Sequence, residues 1–322
     1  MNFQYSEEVD RDFYEDDGLG HGIPLRLHKD LFREIRGTIR AQRDWSKNVS
    51  PVKGYKGGLG HPYSFVTVTV PECLPERLEV ISYANEYAFL YDDELENIDL
   101  KSYSGGFNGI LETFNGSSLD NGVSPESRPE TRLLAQIYSE MAAIDPIRAK
   151  TSLKAWTKFV QSAVRTRSMP FDTLKDYIPA RVVDAGQLIW YGTLTFGLAL
   201  TIPEDEYELC HELAKPGYIA MALANDLYSW DKERAAAKEA GQDHVFNAIW
   251  VIMKESSVSE IEAKHICRLQ IQEYITQYAQ IVENTMSDST ISEDLREYIQ
   301  AVRLSYSGNL VWSIYCPRYH DF

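Results

Sequence analysis

Asn225, Ser229 and Glu233 stand four residues apart in the segment Asn225-Asp226-Leu227-Tyr228-Ser229-Trp230-Asp231-Lys232-Glu233, the step that stacks side chains along one face of a helix. An amide, a hydroxyl and a carboxylate in one row are three hard oxygen donors. Mg²⁺ takes a few such ligands, keeps several waters and is commonly completed by phosphate oxygens, so this face reads as half of a metal-diphosphate site. Lys232 adds the point charge that a phosphate attracts. A second acidic cluster lies far upstream at Asp92-Asp93-Glu94-Leu95-Glu96, where four of five residues are carboxylates. Ile81, Asn85, Ala88 and Asp92 follow helical spacing, so Asp92 continues the inward face of a helix that starts at Pro75. Carboxylates at a helix C-terminus oppose the dipole by ~0.3–1 kcal/mol each, a cost that bound cations would relieve. Taken alone, the acidic run fits solvated surface equally well.

Further donors come from two other places. Arg181-Val182-Val183-Asp184-Ala185-Gly186 sets two charges and a glycine into a strongly apolar stretch, and buried opposite charges three residues apart normally pair. Trp312 precedes Cys316-Pro317-Arg318-Tyr319, a second Arg beside a hydrogen-bonding Tyr. Singly, each Arg reads as a structural ion-pair partner; with Lys232 they form a set able to hold a diphosphate. Cys73, Cys210, Cys267 and Cys316 are far apart with no CxxC, and the seven histidines share no short ligand spacing. Neither a zinc site nor a disulfide framework is indicated, and four reduced thiols point to the cytoplasm.

The elements that must position these groups are helical almost throughout. Periods near 3.6 residues mark helices at Arg33 to Lys47, Pro75 to Asp93, Arg132 to Ile144, Ile147 to Arg167, Thr173 to Ala199, Glu204 to Ala214, Tyr218 to Ala240, Val245 to Lys254, Ser259 to Thr285 and Ser292 to Tyr315. The β-like run Ser64 to Val70 fits a strand, a buried helix or a turn. The Gly- and Ser-rich region Asn97 to Glu130 after the acidic cluster reads as a lid or as a surface loop with a short helix. The expectation is one all-α bundle spanning all 322 residues, with 44% hydrophobic residues for its core. Its longest near-apolar run, Leu188 to Leu200, is too short to span a bilayer. A net charge of -16 repels nucleic acid and anionic membranes, which leaves a metal-bridged anion as the expected partner.

The acidic DDELE run, the Asn-x-x-x-Ser-x-x-x-Glu triad, Arg181 between them and the Arg318-Tyr319 pair after them together resemble the class I terpene synthases. Val70-Pro71-Glu72-Cys73, Pro75-Glu76-Arg77-Leu78-Glu79-Val80-Ile81-Ser82-Tyr83-Ala84-Asn85-Glu86, Asp243-His244-Val245 and Cys316-Pro317-Arg318-Tyr319 are similar to the cyclase domain of the fungal chimeric enzymes, in their fusicoccadiene synthase branch. The resemblance covers essentially the whole chain. It implies a class I α-bundle around a central cavity, with Asp92, Asp93 and Glu96 at one metal site and Asn225, Ser229 and Glu233 at another, three Mg²⁺ in all. It assigns Arg181 as diphosphate sensor, Asp184 as its linker and Ala185 as the effector whose carbonyl faces substrate, where a glycine is frequent in relatives. Lys232, Arg318 and Tyr319 become diphosphate donors. Phe65, Phe89 and Trp312 are expected to line the cavity, with Trp190 and Tyr191 as further candidates; core packing is the alternative for each. No segment matches the Asp-rich motifs of the prenyltransferase domain of chimeric relatives, so the chain corresponds to the cyclase half, and a prenyltransferase domain in a longer protein and a homo-oligomer both stay open.

The implied reaction is Mg²⁺-dependent ionisation of geranylgeranyl diphosphate and cyclisation to a polycyclic, fusicoccane-type diterpene. The same chemistry on geranylfarnesyl diphosphate, giving a sesterterpene, is the near alternative. A non-catalytic helical scaffold and a metal-dependent phosphohydrolase are the alternatives from other classes.

Overall fold

The computed structural model describes residues 3–96, 128–166 and 170–320. An antiparallel strand pair, β1 (Ser6–Glu8) with β2 (Arg26–His28), opens the chain. Helices follow as α1 (Leu31–Asn48), α2 (Phe65–Thr69), α3 (Pro75–Glu96), α4 (Pro129–Ile144), α5 (Pro146–Thr166), α6 (Leu174–Asp184), α7 (Gln187–Gly197), α8 (Tyr207–Glu239), α9 (Ala248–Ser256), α10 (Glu260–Ser287) and α11 (Glu293–Tyr315). The all-α reading holds. The large apolar cluster runs from Leu19 to Leu310 through α1, α3 and α4 to α11. A smaller one joins Tyr14, Leu25, Tyr63 and Val68 to Val311, Trp312 and Cys316. Among the described residues no helix is long and apolar enough to cross a membrane, and all four cysteines are buried and unpaired.

Several helix starts follow from capping residues. Thr173 accepts from Asp176 N, Asn247 from Ile249 N and Ser292 from Leu295 N, while Ser259 and Glu262 form a capping box. Two expected boundaries differ. The stretch Thr173 to Ala199 is two helices, because Gly186 adopts φ +85, a left-handed conformation that glycine enters without a side-chain clash. Conversely, the break expected between Ala214 and Tyr218 is absent: α8 runs through Pro216. Pro216 lies in the third turn of a long, well-packed helix, and burial of its flanks outweighs one lost backbone bond. The expected lid, 97–127 with Arg128 to Glu130 excepted, lies outside the described residues.

The run Phe65-Val66-Thr67-Val68-Thr69 is helical, although β-branched residues favour strands. Two contacts decide it. The Glu34 carboxylate of α1 accepts from Val66 N and Thr67 N, both at 2.8 Å, capping the helix. Gly308 of α11 admits the α2 backbone so closely that a Cβ there would lie 2.0 Å from Val68 O. This short helix delivers Phe65 to the interior.

Glu34 is 1% exposed, and burial pushes its carboxyl up from 4.5 to about 7, against the pull of the Thr67 and Val66 hydrogen bonds. The folded chain therefore holds a proton that the unfolded chain releases near its ordinary value. Stability should fall as pH rises from about 4.5 to about 7, with Glu34 contributing up to ~3 kcal/mol of the loss. Urea unfolding at about pH 5 and pH 8 should show this component in the wild type and its absence in Glu34→Gln.

Candidate active site

The break between α6 and α7 puts Arg181 at the end of α6, facing α8. Its Nε donates to Asp226 Oδ1 at 2.7 Å, Nη1 to Asp184 Oδ2 at 2.8 Å and Nη2 to Asn225 Oδ1 at 2.6 Å. Arg181, Asp184 and Asp226 are all buried. Burial works against the guanidinium's charge, but Asp226, with Tyr177 and Asp184, outweighs it and holds Arg181 above its ordinary value. Asp226 also accepts from Tyr177 Oη at 2.7 Å and from Ala248 N, at the start of α9, at 2.9 Å. Burial pushes its carboxyl up, against the pull of Arg181. Ala185 caps the C-terminus of α6 in helical conformation and is exposed.

Asn225, Ser229 and Glu233 share one face of α8. Asn225 Nδ2 donates to Tyr319 Oη at 2.7 Å. Glu233 Oε2 accepts from Asn247 Nδ2 at 2.9 Å, and the same amide donates to Asp226 O at 2.8 Å. Ser229 Oγ, between them, is buried without a protein partner. Each of the three retains oxygen lone pairs, and a buried orphan hydroxyl flanked by an amide oxygen and a carboxylate fits a hard divalent cation. Among the described residues no three His, Cys, Asp or Glu side chains gather into a metal site of their own. A site here is built on the Asn and Ser oxygens as much as on carboxylate.

The acidic end of α3 faces this helix. Asp93 accepts from Arg318 Nη2 at 2.6 Å and Nη1 at 3.0 Å, and from Lys232 Nζ at 3.2 Å. Asp92 Oδ2 lies 3.8 Å from Arg318 Nη2. Burial opposes the Arg318 charge, but Asp93 raises it well above its ordinary range. Tyr319, partly buried against Trp312, is held neutral by desolvation. Both expected motifs therefore meet, joined through Lys232, Arg318 and Tyr319. Glu96 closes α3, but its side chain lies outside the described residues.

The expected aromatic residues form one cluster beneath the charged layer. Phe65 packs against Phe89, Trp190 and Trp312 with centroids 5.2, 5.6 and 4.8 Å apart, and Phe89 stacks on Trp312 at 5.7 Å and 11°. Tyr319 meets Trp312 edge-on at 5.5 Å, and the Arg318 guanidinium sits 5.1 Å from the Phe89 centroid. Tyr191 belongs elsewhere, among Tyr207, His211 and Tyr298.

Sequence reasoning missed Asp226, Asn247 and Tyr177. Asp226 was discoverable as a charge on the buried side of an otherwise amphipathic helix; Asn247 and Tyr177 carry no signal without their partners. Asp226→Ala leaves the Arg181 guanidinium buried with its Nε unpaired. Its cost in urea unfolding should be about 3–5 kcal/mol, with a smaller loss in Asp226→Asn, which preserves shape and acceptor oxygen.

A model of the family described as terpene synthase family 2, C-terminal metal binding, matches residues 83–277, a span that holds Asp92, Arg181 and the α8 face. The chain is 45% identical to fusicoccadiene synthase of Phomopsis amygdali over 99% of its own length and 46% of that protein's. It is 43% identical to a bifunctional type I diterpene synthase of Aspergillus flavipes over 100% of its length and 42% of the relative's. A bifunctional sesterterpene synthase of Aspergillus aculeatus is 42% identical over 99% of this chain and 45% of that one. The chain thus spans about half the length of the relatives it matches. Aristolochene synthase from Penicillium roqueforti shares the fold with TM-score 0.72 at 19% identity, over 90% of this chain and 96% of that one. Wild-type cucumene synthase does so with TM-score 0.71 at 14% identity, over 90% and 98%. The Asn225-Ser229-Glu233 face of α8 falls inside the family match, and the likeness to the fungal synthases extends to both ends of the chain: this protein belongs to the terpene synthase family.

Proposed function

We propose that the chain, read as a single cyclase domain over residues 1–322, is a class I diterpene synthase that ionises geranylgeranyl diphosphate and cyclises the resulting cation to a polycyclic, fusicoccane-type hydrocarbon. The observation that carries this reading is the orphan Ser229 Oγ between Asn225 and Glu233, opposite Asp92 and Asp93. Asn225, Ser229 and Glu233 would hold one Mg²⁺, and Asp92, with Asp93 and Glu96, would serve the others, three ions in all. Bound there, Mg²⁺ supplies the Lewis acidity that draws charge from the diphosphate oxygens.

The chain's own groups do the rest. Arg181, Lys232, Arg318 and Tyr319 bind the leaving diphosphate, and Asp93 sets two of those cations in place beforehand, so little reorganisation accompanies bond cleavage. Asp184 positions Arg181, and the Ala185 carbonyl lies at the helix break beside them. The allylic C–O bond breaks with its electron pair going to diphosphate. Phe65, Phe89 and Trp312 then face a cation that must not meet water; aromatic faces stabilise such a charge by about 0.5–2 kcal/mol without capturing it. A proton lost from carbon ends the cascade.

Relatives named for diterpene and for sesterterpene synthesis stand at similar identity, so the C25 substrate is tested beside the C20 one. Relatives named bifunctional support a longer form of the protein in which a prenyltransferase domain makes the substrate. Buried unpaired cysteines suit the reducing cytoplasm.

Purified chain incubated with geranylgeranyl or geranylfarnesyl diphosphate, with and without Mg²⁺, should yield a metal-dependent cyclic hydrocarbon from the C20 substrate by gas chromatography and mass spectrometry. Ser229→Ala should lower turnover roughly 10²-fold without lowering the melting temperature in metal-free buffer, because its hydroxyl has no protein partner to lose. Product from the C25 substrate alone would move the assignment to sesterterpenes. Prenyl alcohol alone would indicate a phosphohydrolase, and absence of turnover a scaffold.

A further inference from the structure

The loop of residues 55–58 joins the charged and aromatic halves of the site without belonging to either metal motif. Lys56 O accepts from Arg318 Nη1 at 3.0 Å. Gly58 O accepts from Phe65 N at 2.9 Å and from Trp312 Nε1 at 3.0 Å. One short turn therefore sets a guanidinium at the anionic end and two rings of the aromatic wall.

Glu86 of α3 fixes that turn. It is 2% exposed; its Oε2 accepts from Gly58 N at 2.9 Å, and its Oε1 accepts from Gln42 Nε2 at 2.6 Å. A Cβ on Gly57 would lie 2.1 Å from Glu86 Oε1 and would push the carboxylate off this position. Glu86, Phe89 and Asp93 occupy successive positions of one helical stripe. The loop anchor, a wall ring and a carboxylate of the metal end thus move together. Burial holds the Glu86 carboxyl above its ordinary range, opposed by the Gly58 and Gln42 hydrogen bonds. A buried acid in a place that an apolar side chain could fill is a cost to the fold, and the loop it organises is what the site gains from it.

We propose that Glu86 is a positioning residue for cyclisation: through the Gly57-Gly58 turn it orients Phe65 and Trp312 toward the carbocation and Arg318 toward the departing diphosphate, and so sets the partition between cyclic hydrocarbon and early-quenched product. This rests on the cyclase reading above. A cation whose aromatic wall has shifted is captured by water as an alcohol or loses a proton before ring closure, while diphosphate release, driven from the charged layer, continues.

The test uses the whole chain as wild type, Glu86→Ala, Glu86→Gln and Gly57→Ala, each checked for folding by circular dichroism. With geranylgeranyl diphosphate and Mg²⁺, the ratio of cyclic hydrocarbon to diphosphate released is measured. In the protein without substrate, the ¹⁵N indole resonance of Trp312, assigned by its loss in Trp312→Phe, reports the hydrogen bond to Gly58. In Glu86→Ala the cyclic fraction should fall at least ~5-fold, and the indole signal should move upfield and exchange faster with solvent. Gly57→Ala should reproduce both changes, because its methyl displaces the carboxylate. Glu86→Gln, which keeps an acceptor oxygen for Gly58 N, should restore both toward wild type. An unmoved indole resonance, or an unchanged cyclic fraction, in folded Glu86→Ala or Gly57→Ala overturns the proposal. A wild type without turnover would instead defeat the cyclase reading, and the indole measurement would still decide whether Glu86 positions Trp312.

Discussion

Burying the Arg181 guanidinium obliges the fold to supply acceptors for the N–H groups it hides. Three come from two helices: Asp184 from α6, and Asn225 and Asp226 from α8. Two of the three carry a further duty, Asn225 by donating to Tyr319. Asp226 ties Tyr177 and the first turn of α9 to the same point, and Asn247, which caps α9, returns to Glu233 on the face that α8 shares with Asn225 and Ser229. The face of α8 that carries Asn225, Ser229 and Glu233 is therefore held by contacts that begin at one buried charge. The carboxylates around it outnumber the guanidinium, so the layer keeps the negative surplus that a divalent cation would neutralise.

Charged and apolar demands are separated along the helices that build the site. α3 presents Glu86 and Phe89 before Asp93, and α11 presents Trp312 before the chain reaches Arg318 and Tyr319. Along both, the aromatic ring precedes the charged residues that meet across the site. Arg318 lies at the boundary, donating to Asp93 on one side and facing the Phe89 ring on the other. A substrate with a polar head and a long apolar tail would be divided by this arrangement as the protein itself is, with ionisation at the wet end and the cation left among rings that have no lone pair to give it.

Local chemistry was legible in the sequence; convergence was not. Asn225, Ser229 and Glu233 declare a shared face through spacing alone, and the pairing of Arg181 with Asp184 follows from three residues of separation inside apolar surroundings. Phe65, Phe89 and Trp312 come from three separate elements, and only the resemblance to a family placed them together; the structure puts all three in mutual contact. Asp226 escaped because the spacing that singles out Asn225, Ser229 and Glu233 leaves it aside, and its role shows only once its partners Arg181 and Tyr177 are known. The β-like run at Phe65 escaped for a related reason: what makes it helical is a carboxylate on α1 and a glycine on α11, neither of which leaves a mark in the run itself. The reading of α8 as two helices trusted Pro216 as a local signal that the packing overrides.

Among the described residues, the orphan state that Ser229 shares with Ser313 of α11 stands against the other buried helical hydroxyls. Ser82, Thr193, Thr195 and Thr285, all inside helices, donate to the carbonyl four residues earlier, the ordinary way for such a group to settle its hydrogen-bonding capacity. Ser229 has the same recourse on α8 and does not use it. A hydroxyl folded back onto its own helix would direct its proton inward along the helix wall; one left without that bond keeps its oxygen in line with Asn225 and Glu233. The cost of hiding an unpaired hydroxyl is about 1–3 kcal/mol, small beside what a bound divalent cation returns to the folded state when its concentration exceeds its dissociation constant. Under the proposed metal site, the unsatisfied Ser229 hydroxyl is the oxygen that a cation would satisfy.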